Sequence, residues 1–273
     1  MTHIVDWIRL FGDAAAEIRR KTQPLFGSEK AKQEQGRGAG GDMTRFIDAL
    51  AESIVIRTLQ DNHASCVLVS EEKGTQQICE AGGDDYVVLD AIDGTTNTLH
   101  RIPFSATSIA HANGSMLRDV DVALIMELNT GDTYRAEKDG GAYKGENRIR
   151  PSDVTRLEDS IVSVELTYRR DFQGLIRRLV PIMASASKLR QLGSTALESV
   201  LVASGALDAF VDLRGLSRAV DLAAATLIVR EAGAYIVAPG GEDLDMELRA
   251  DERTSFIVAG NQTLLRQIMG LIA

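Results

Sequence analysis

Residues 90–97 read DAIDGTTN, so two aspartates three positions apart stand directly against a Gly-Thr-Thr turn. The preceding run Tyr86-Val87-Val88-Leu89 is β-branched and apolar, like a buried strand, and Asp90 and Asp93 arrive where that strand ends. Carboxylates held that close repel each other, and a cation between them removes the conflict. Two further strand ends carry acids: Glu71-Glu72 after the Cys66-Val67-Leu68-Val69 run, and Asp212 after the strand containing Phe210. Asp221 opens a helix whose next turns, residues 222–228, are almost wholly apolar. Taken alone, Asp221 reads as a helix cap, and Glu72, flanked by Lys73, reads as a solvated turn residue.

Asp93-Gly94-Thr95-Thr96 is harder to dismiss. The glycine permits a tight turn, and a short helix starting there would aim its free N–H groups at an anion. Carboxylates beside an anion site make sense when cations bridge the two. Oxygen donors with no accompanying cysteine or convergent histidine indicate a hard ion, and Mg2+ fits best. Magnesium, phosphate and an acid cluster imply phosphoryl chemistry, in which ions about 3.5 to 4 Å apart activate the attacking water and steady the leaving oxygen. The chain has no GxxxxGK[ST] loop, no GxGxxG after a strand and no kinase signature set, so hydrolysis is expected rather than transfer.

The bulk of the sequence agrees with a small-molecule enzyme. Its 273 residues suffice for one large domain or two modest ones sharing an interface. With a net charge of −9 and no dense Lys/Arg cluster, nucleic acid and anionic membrane are excluded as expected partners. The longest apolar windows, such as residues 219–229, fall well short of the ~20 residues of a membrane span. The N-terminal stretch MTHIVDWIRLFGDAAAEIRRK lacks a basic region followed by an apolar core, so the expected location is the cytoplasm. Cys66 and Cys79 have no zinc spacing and read as idle thiols, with a Cys66–Cys79 disulfide left open. His100 and His111 read as structural or exposed.

The elements that must position the acids follow from periodicity. Ile4, Trp7, Ile8, Leu10, Phe11, Ala14 and Ile18 recur at helical spacing and predict an amphipathic helix ending near Phe26. GSEKAKQEQGRGAGG (27–41) has four glycines in its last six residues and is expected to be a mobile connection without regular structure. Helical spacing returns over residues 43–59, with Asp42 placed to cap it. Strands over 105–112, 120–128 and 131–136, separated by turn signals, predict an antiparallel meander. Beyond Pro151 strands (161–166, 188–192, 206–212) alternate with helices (172–183, 195–203, 219–232), which suggests a mixed sheet flanked by helices. A last amphipathic helix runs from Asn261.

In order along the chain, GDMTRFIDALAE (41–52), LVSEEKG (68–74), LDAIDGTTNTLHRIPF (89–104), GAYKGENRI (141–149), LGSTALESVLVASGALDAFVD (192–212) and AVDLAAATLIVREAGA (219–234) resemble the inositol monophosphatase superfamily. Within it the similarity is to the archaeal fructose-1,6-bisphosphatase/inositol monophosphatase branch. The family usually has Pro where this chain has Ala91, and many members have Trp where it has Val220; neither change removes a catalytic side chain. The resemblance implies a layered αβαβα sandwich of mixed α+β and α/β character. It implies an N-terminal part (1–154) with most metal ligands and a C-terminal part (155–273) with Asp221 and the substrate contacts.

By position, the resemblance assigns Glu71, Asp90 and the Ile92 carbonyl to a first Mg2+, and Asp90, Asp93 and Asp221 to a second. A third, weaker ion would rest on Glu71 near the glycine-rich segment, which becomes a lid. Mn2+ would substitute and Li+ inhibit. Asp48, Thr95 and Glu71 are the implied catalytic residues: in the family a metal-bound water, oriented by the Thr95 hydroxyl with Asp48 behind it, attacks phosphorus in line. Gly94 and Thr95 N–H groups would hold the phosphate. Gly193, Ser194, Thr195, Asp212 and Arg214 are the implied substrate contacts, with Arg190, Arg214 or Arg218 near a second phosphate. The expected substrate is a small phosphorylated sugar or polyol, fructose 1,6-bisphosphate or inositol 1-phosphate, turned over by a homodimer or higher homo-oligomer. The alternatives are a phosphatase of 3′-phosphoadenosine 5′-phosphate or NADP, or a metal-binding regulatory protein without turnover.

Overall fold

The computed structural model describes residues 5–41, 43–79, 84–167 and 170–272. The chain opens with helix α1 (Trp7–Thr22), whose buried stripe is Leu10, Phe11, Ala14, Ala15 and Ile18. It stops at Thr22 rather than near Phe26, because Pro24 lacks an N–H to continue it and a tighter 3-10 turn (Gln23–Leu25) follows. The glycine-rich stretch is more regular than expected. Strand β1 (Glu34–Arg37) pairs antiparallel with β2 (Met43–Arg45), and this pairing delays helix α2 to Phe46–Asp61, three residues after its expected start. Arg45 is therefore the N-cap; Asp42, expected in that role, lies outside the described residues.

Strands β3 (Cys66–Ser70), β4 (Gly74–Ile78) and β5 (Tyr86–Asp93) precede the short helix α3 (Thr95–His100). The meander follows as β6 (Ala106–Ala112), β7 (Val120–Glu127), β8 (Thr133–Glu137), β9 (Gly141–Lys144) and β10 (Asn147–Arg148). Together they form an eight-stranded sheet in the order β10-β9-β8-β7-β6-β5-β3-β4, parallel only between β3 and β5. The remaining elements are β11 (Ile161–Val164), α4 (Phe172–Ser185), β12 (Lys188–Arg190), α5 (Thr195–Ala203), β13 (Ala209–Arg218), α6 (Ala219–Ala232), β14 (Tyr235–Val237), β15 (Arg253–Ala259) and α7 (Gln262–Ile272). Their strands make a mixed five-stranded sheet, β12-β11-β13-β15-β14.

Strand alternation then builds the layers. Val87 and Leu89 of β5 pack with Phe11 and Ile18 of α1 and Ile47 and Val55 of α2, whereas Val88 between them faces the opposite core with α5 and α6. That second core also takes Phe210 and Phe256 from the smaller sheet, so α5 and α6 lie between the sheets. Val162, Val211 and Ile257 face α4 and α7 on the far side. The result is the expected αβαβα sandwich. Sandwiching explains why α6 is buried around nearly its whole circumference and why Ala223-Ala224-Ala225 is its centre: small side chains let two sheets approach one helix.

His111 is structural: it is buried, with Nδ1 2.6 Å from Asp121 and Nε2 3.2 Å from Asp85, and it stacks on Trp7 at 4.3 Å. Cys66 and Cys79 are both free thiols, and burial pushes Cys66 up to about 12. Among the described residues no helix is long and apolar enough to cross a membrane.

Candidate functional site

Strand register brings the first two acids together. In the parallel β3–β5 pair Ser70 lies opposite Leu89, so the next residues, Glu71 and Asp90, stand side by side where that pairing ends. β5 then bulges against β6: Asp90 pairs with Ser108 and Asp93 with Ala106, so two residues of β5 oppose one of β6. A bulge of this kind re-aims side chains at the end of a strand. Thr107 Oγ1 donates to the Ala91 carbonyl at 2.9 Å across the bulge, and Asp90 Oδ1 accepts from the Ile92 N–H at 3.1 Å. Gly94 follows at φ +89°, where any Cβ would stand 3.0 Å from the Phe104 carbonyl, so both conformation and space require glycine.

Asp221 reaches the same point from the first turn of α6. Oxygens of Glu71, Asp90 and Asp221 all lie within 4.8 Å of one another. The guanidinium of Arg218, the N-cap of α6, is laid across this group, with Nη1 2.5 Å from Glu71 Oε1 and Nη2 3.1 Å from Asp221 Oδ1. Burial, then the charges of Glu71, Asp93 and Asp221, holds the Asp90 carboxyl well above the usual carboxylate range. Burial raises Glu71 as well, and Arg218 offsets part of that. Beside them is a cavity of about 10 Å3 bordered by Asp48, Glu52, Ser70, Glu71, Glu72 and Asp90, where Glu52 Oε2 is buried without a hydrogen-bond partner. An all-carboxylate set with an orphaned oxygen beside it fits a hard divalent cation.

Asp48 sits in the first turn of α2, 5% exposed. Its Oδ2 accepts from the Arg45 N–H at 3.3 Å and its Oδ1 lies 3.1 Å from Thr95 Oγ1. Thr95 Oγ1 is also 3.0 Å from the Ile92 carbonyl, and a hydroxyl with one proton can serve only one of these acceptors at a time. Burial, then the Glu72 charge, pushes Asp48 up to about 8.

Asp93 stands apart from the three converging acids. Its Oδ2 accepts from Ser194 Oγ at 2.6 Å and from the Ala196 N–H at 2.7 Å, which ties β5 to the start of α5. Burial lifts it to about 7, with the Ser194 bond pulling the other way. Ser194, expected against substrate, is fully buried and faces Asp93, while Gly193 is exposed and Thr195 half-buried. Asp212 departs from expectation too. It is fully buried, its oxygens accept from Arg214 Nε at 2.9 Å, Arg214 Nη2 at 2.7 Å and Ser217 Oγ at 2.6 Å, and no face is open to a substrate hydroxyl. Arg214, bonded to Asp212 and to the Thr167 carbonyl at 3.2 Å, orders the bulged stretch of β13.

The glycine-rich segment is docked on the acidic turn: the Ala39 N–H donates to the Glu72 carbonyl and the Gly40 N–H to the Glu71 carbonyl, both at 2.9 Å. Arg253 of β15 donates to the Gly40 carbonyl at 2.9 Å.

Sequence reasoning missed three positioning residues. Glu198 accepts from the N–H groups of Leu192, Gly193 and Ser194 at 3.0 to 3.3 Å, and Asn97 Nδ2 donates to the Phe104 and Leu192 carbonyls at 2.8 and 2.7 Å. Glu52 accepts from the Lys73 N–H at 3.3 Å, steadying the turn that carries Glu71. Polar residues at otherwise apolar helix positions, as in TALESVLVA for Glu198 and FIDALAESIVI for Glu52, were the available signal.

Residues 8–272 match the family model described as Inositol monophosphatase family. The chain is 35% identical to the fructose-1,6-bisphosphatase/inositol-1-monophosphatase of Methanothermobacter thermautotrophicus, covering 93% of this chain and 92% of that one. It is 30% identical to the bifunctional NADP phosphatase/NAD kinase of Methanococcus maripaludis, over 98% of this chain but only 49% of that longer protein. A crystal structure described as an inositol monophosphatase-fructose 1,6 bisphosphatase superposes with a TM-score of 0.87 at 30% identity, covering 98% of this chain and all of that one.

Proposed function

The chain belongs to the inositol monophosphatase family and is a phosphatase, and from that premise we propose that it is a Mg2+-dependent phosphomonoesterase acting on fructose 1,6-bisphosphate, inositol 1-phosphate or both. The observation that carries the reading is the convergence of Glu71, Asp90 and Asp221 beside the Asp48–Thr95 pair. Glu71, Asp90, Asp221 and the Ile92 carbonyl would hold the ions, with Asp93 joining from the α5 side. When bound, such ions supply Lewis acidity, polarising phosphoryl oxygens and making water nucleophilic near neutral pH.

The chain's own residues do the rest. Gly94 and Thr95 N–H groups hold the phosphate at the turn. The Thr95 hydroxyl, 3.1 Å from Asp48, gives its proton to that carboxylate and accepts one from the water it orients. Asp48 accepts that proton in its ionised form, and the burial that lifts it to about 8 in the metal-free protein makes that form a stronger base than an ordinary carboxylate. Water attacks phosphorus opposite the leaving alcohol oxygen, the phosphorus–oxygen bond to the alcohol breaks, the alcohol oxygen takes up a proton from solvent water, and inorganic phosphate is released.

Substrate preference rests on the named relatives: fructose-1,6-bisphosphatase/inositol-1-monophosphatase proteins of Methanothermobacter and of Thermococcus kodakarensis share 35% and 32% identity with the chain. The NADP phosphatase reading has a specific observation behind it as well, since two bifunctional NADP phosphatase/NAD kinase proteins match this chain at 30% and 33% identity. The deciding experiment measures phosphate release from fructose 1,6-bisphosphate, inositol 1-phosphate, 3′-phosphoadenosine 5′-phosphate and NADP, with and without Mg2+. Release from the first two only with Mg2+ is the expected result; preference for NADP selects the second reading, and silence on all four removes the proposal.

A further inference from the structure

Arg218 lies in the middle of the acid cluster, in a position that the chemistry of phosphate hydrolysis does not require. As N-cap of α6 its backbone is extended, and its own N–H donates to Asp221 Oδ2 at 2.8 Å. The side chain folds back over the first helical turn, so that Nε and Nη2 both reach the Asp221 carboxylate, at 3.3 and 3.1 Å. Nη1 continues across to Glu71 Oε1 at 2.5 Å, and the side chain is only 12% exposed. A single guanidinium thus spans two carboxylates that stand 147 and 3 residues away in sequence. These are two of the three acids whose oxygens crowd within 4.8 Å.

The lid segment closes over the same group. A Cβ on Gly40 would stand 2.7 Å from Arg218 Nη1 and 3.3 Å from the Glu71 carbonyl, so the backbone of residue 40 rests directly on the ion pair. Charge bookkeeping shows why something positive is there. Oxygens of Glu71, Asp90 and Asp221 crowd within 4.8 Å, and a planar guanidinium with a fork of donors satisfies two of these acids at once. The same carboxylate oxygens are the donors that a hard cation would use.

We propose that Arg218 is a built-in counter-cation of this site, which holds Glu71 and Asp221 in the metal-free protein and has to release both before divalent metal can enter, so that this residue sets the metal affinity. The inference rests on the reading of the acid cluster as a metal site. Loading is then an exchange of one cation for another rather than the filling of a bare acidic pocket. Metal affinity is lowered by the fraction of protein in which the guanidinium is in place. The metal-free cluster is in return spared the unscreened repulsion of its carboxylates.

The test titrates Mn2+ into chelator-stripped protein, with free Mn2+ read by electron paramagnetic resonance, for wild type, Arg218→Met and Arg218→Lys. Melting temperatures of the stripped and Mn2+-loaded forms are taken in parallel. Arg218→Met is expected to bind Mn2+ about tenfold more tightly than wild type, since no competitor has to leave. Arg218→Lys, whose ammonium is a point charge without the bridging fork, should fall between them. Stripped Arg218→Met should melt below stripped wild type and gain more from Mn2+. Unchanged or weaker binding by folded Arg218→Met overturns the proposal; if that variant does not fold without metal, unchanged or weaker binding by Arg218→Lys does so. Wild type that binds no Mn2+ removes the metal reading and this proposal together, an outcome distinct from equal binding by wild type and variants.

Discussion

Helices α2 and α6 each begin with an arginine cap followed three residues later by an aspartate that accepts the cap's own N–H, Arg45 to Asp48 at 3.3 Å and Arg218 to Asp221 at 2.8 Å. From that shared start the arginines part. Arg45 turns outward, donating to Glu34 at 2.9 Å and to the Lys32 carbonyl at 3.2 Å, and Asp48 is left beside Glu72 with its pKa lifted to about 8. Arg218 turns inward and pairs with Asp221 and Glu71. One backbone device therefore yields a carboxyl group with a raised affinity for its proton and, on the other helix, a carboxylate kept paired with a cation. The difference lies in where the capping side chain goes, not in the cap itself.

The largest effects come from the acids. Asp90→Asn should lower turnover by at least about 10³-fold, because it removes one of the three carboxyl groups that converge at the site. It should not unfold the protein, since burial and the neighbouring acids already disfavour a charge on this carboxyl, and the amide is neutral; steady-state kinetics and a melting curve on the same sample check both halves. Asp48→Asn should cost about 10²- to 10⁴-fold in kcat with folding intact, the range for loss of a positioned base. Near-normal turnover would take Asp48 out of the mechanism and collapse the comparison between the two helices.

Backbone and titration effects come next. Gly94→Ala forces a Cβ into a left-handed position 3.0 Å from the Phe104 carbonyl, and chemical denaturation should show a loss of about 1–3 kcal/mol. The raised Asp48 pKa also has a signature in stability. The folded protein keeps a proton on Asp48 that the unfolded chain gives up near the ordinary value of 3.8, so this contribution is full below that pH and is lost as pH rises toward about 8. In metal-free protein the melting temperature of wild type relative to Asp48→Asn should fall across that window, and a constant or rising difference would contradict the assignment. The smallest effect should be that of Arg45→Ala. Its ion pair with Glu34 is open to solvent, so stability should change by no more than about 1 kcal/mol and turnover only slightly, unlike any change at Arg218.

Local signals in the sequence carried far. The Tyr86–Asp93 strand, its acidic end, the Gly94 turn and the Ala-rich α6 were legible because strand alternation, glycine and uninterrupted apolar helical spacing are properties of neighbouring residues. What escaped depends on partners distant in sequence. Asp93 meets Ser194 across 101 residues, and Arg218 meets Glu71 across 147, so neither pairing leaves a local trace. Asp212 has the look of a strand-end acid, and only the fold reveals that Arg214 and Ser217, two and five residues later, curl back onto it. The hairpin of β1 and β2 was hidden for the same reason: within a stretch whose glycines argue against regular structure, Ala39 and Gly40 are held by carbonyls of the distant Glu71-Glu72 turn.

The account stands on divalent metal held by Glu71, Asp90 and Asp221. Anomalous diffraction from crystals soaked in Mn2+ tests that most directly. It should give at least one peak bounded by those three carboxylates, with the Arg218 side chain withdrawn from Glu71. A well-diffracting soaked crystal with no anomalous density at the cluster, and Arg218 still bridging Glu71 and Asp221, would contradict it.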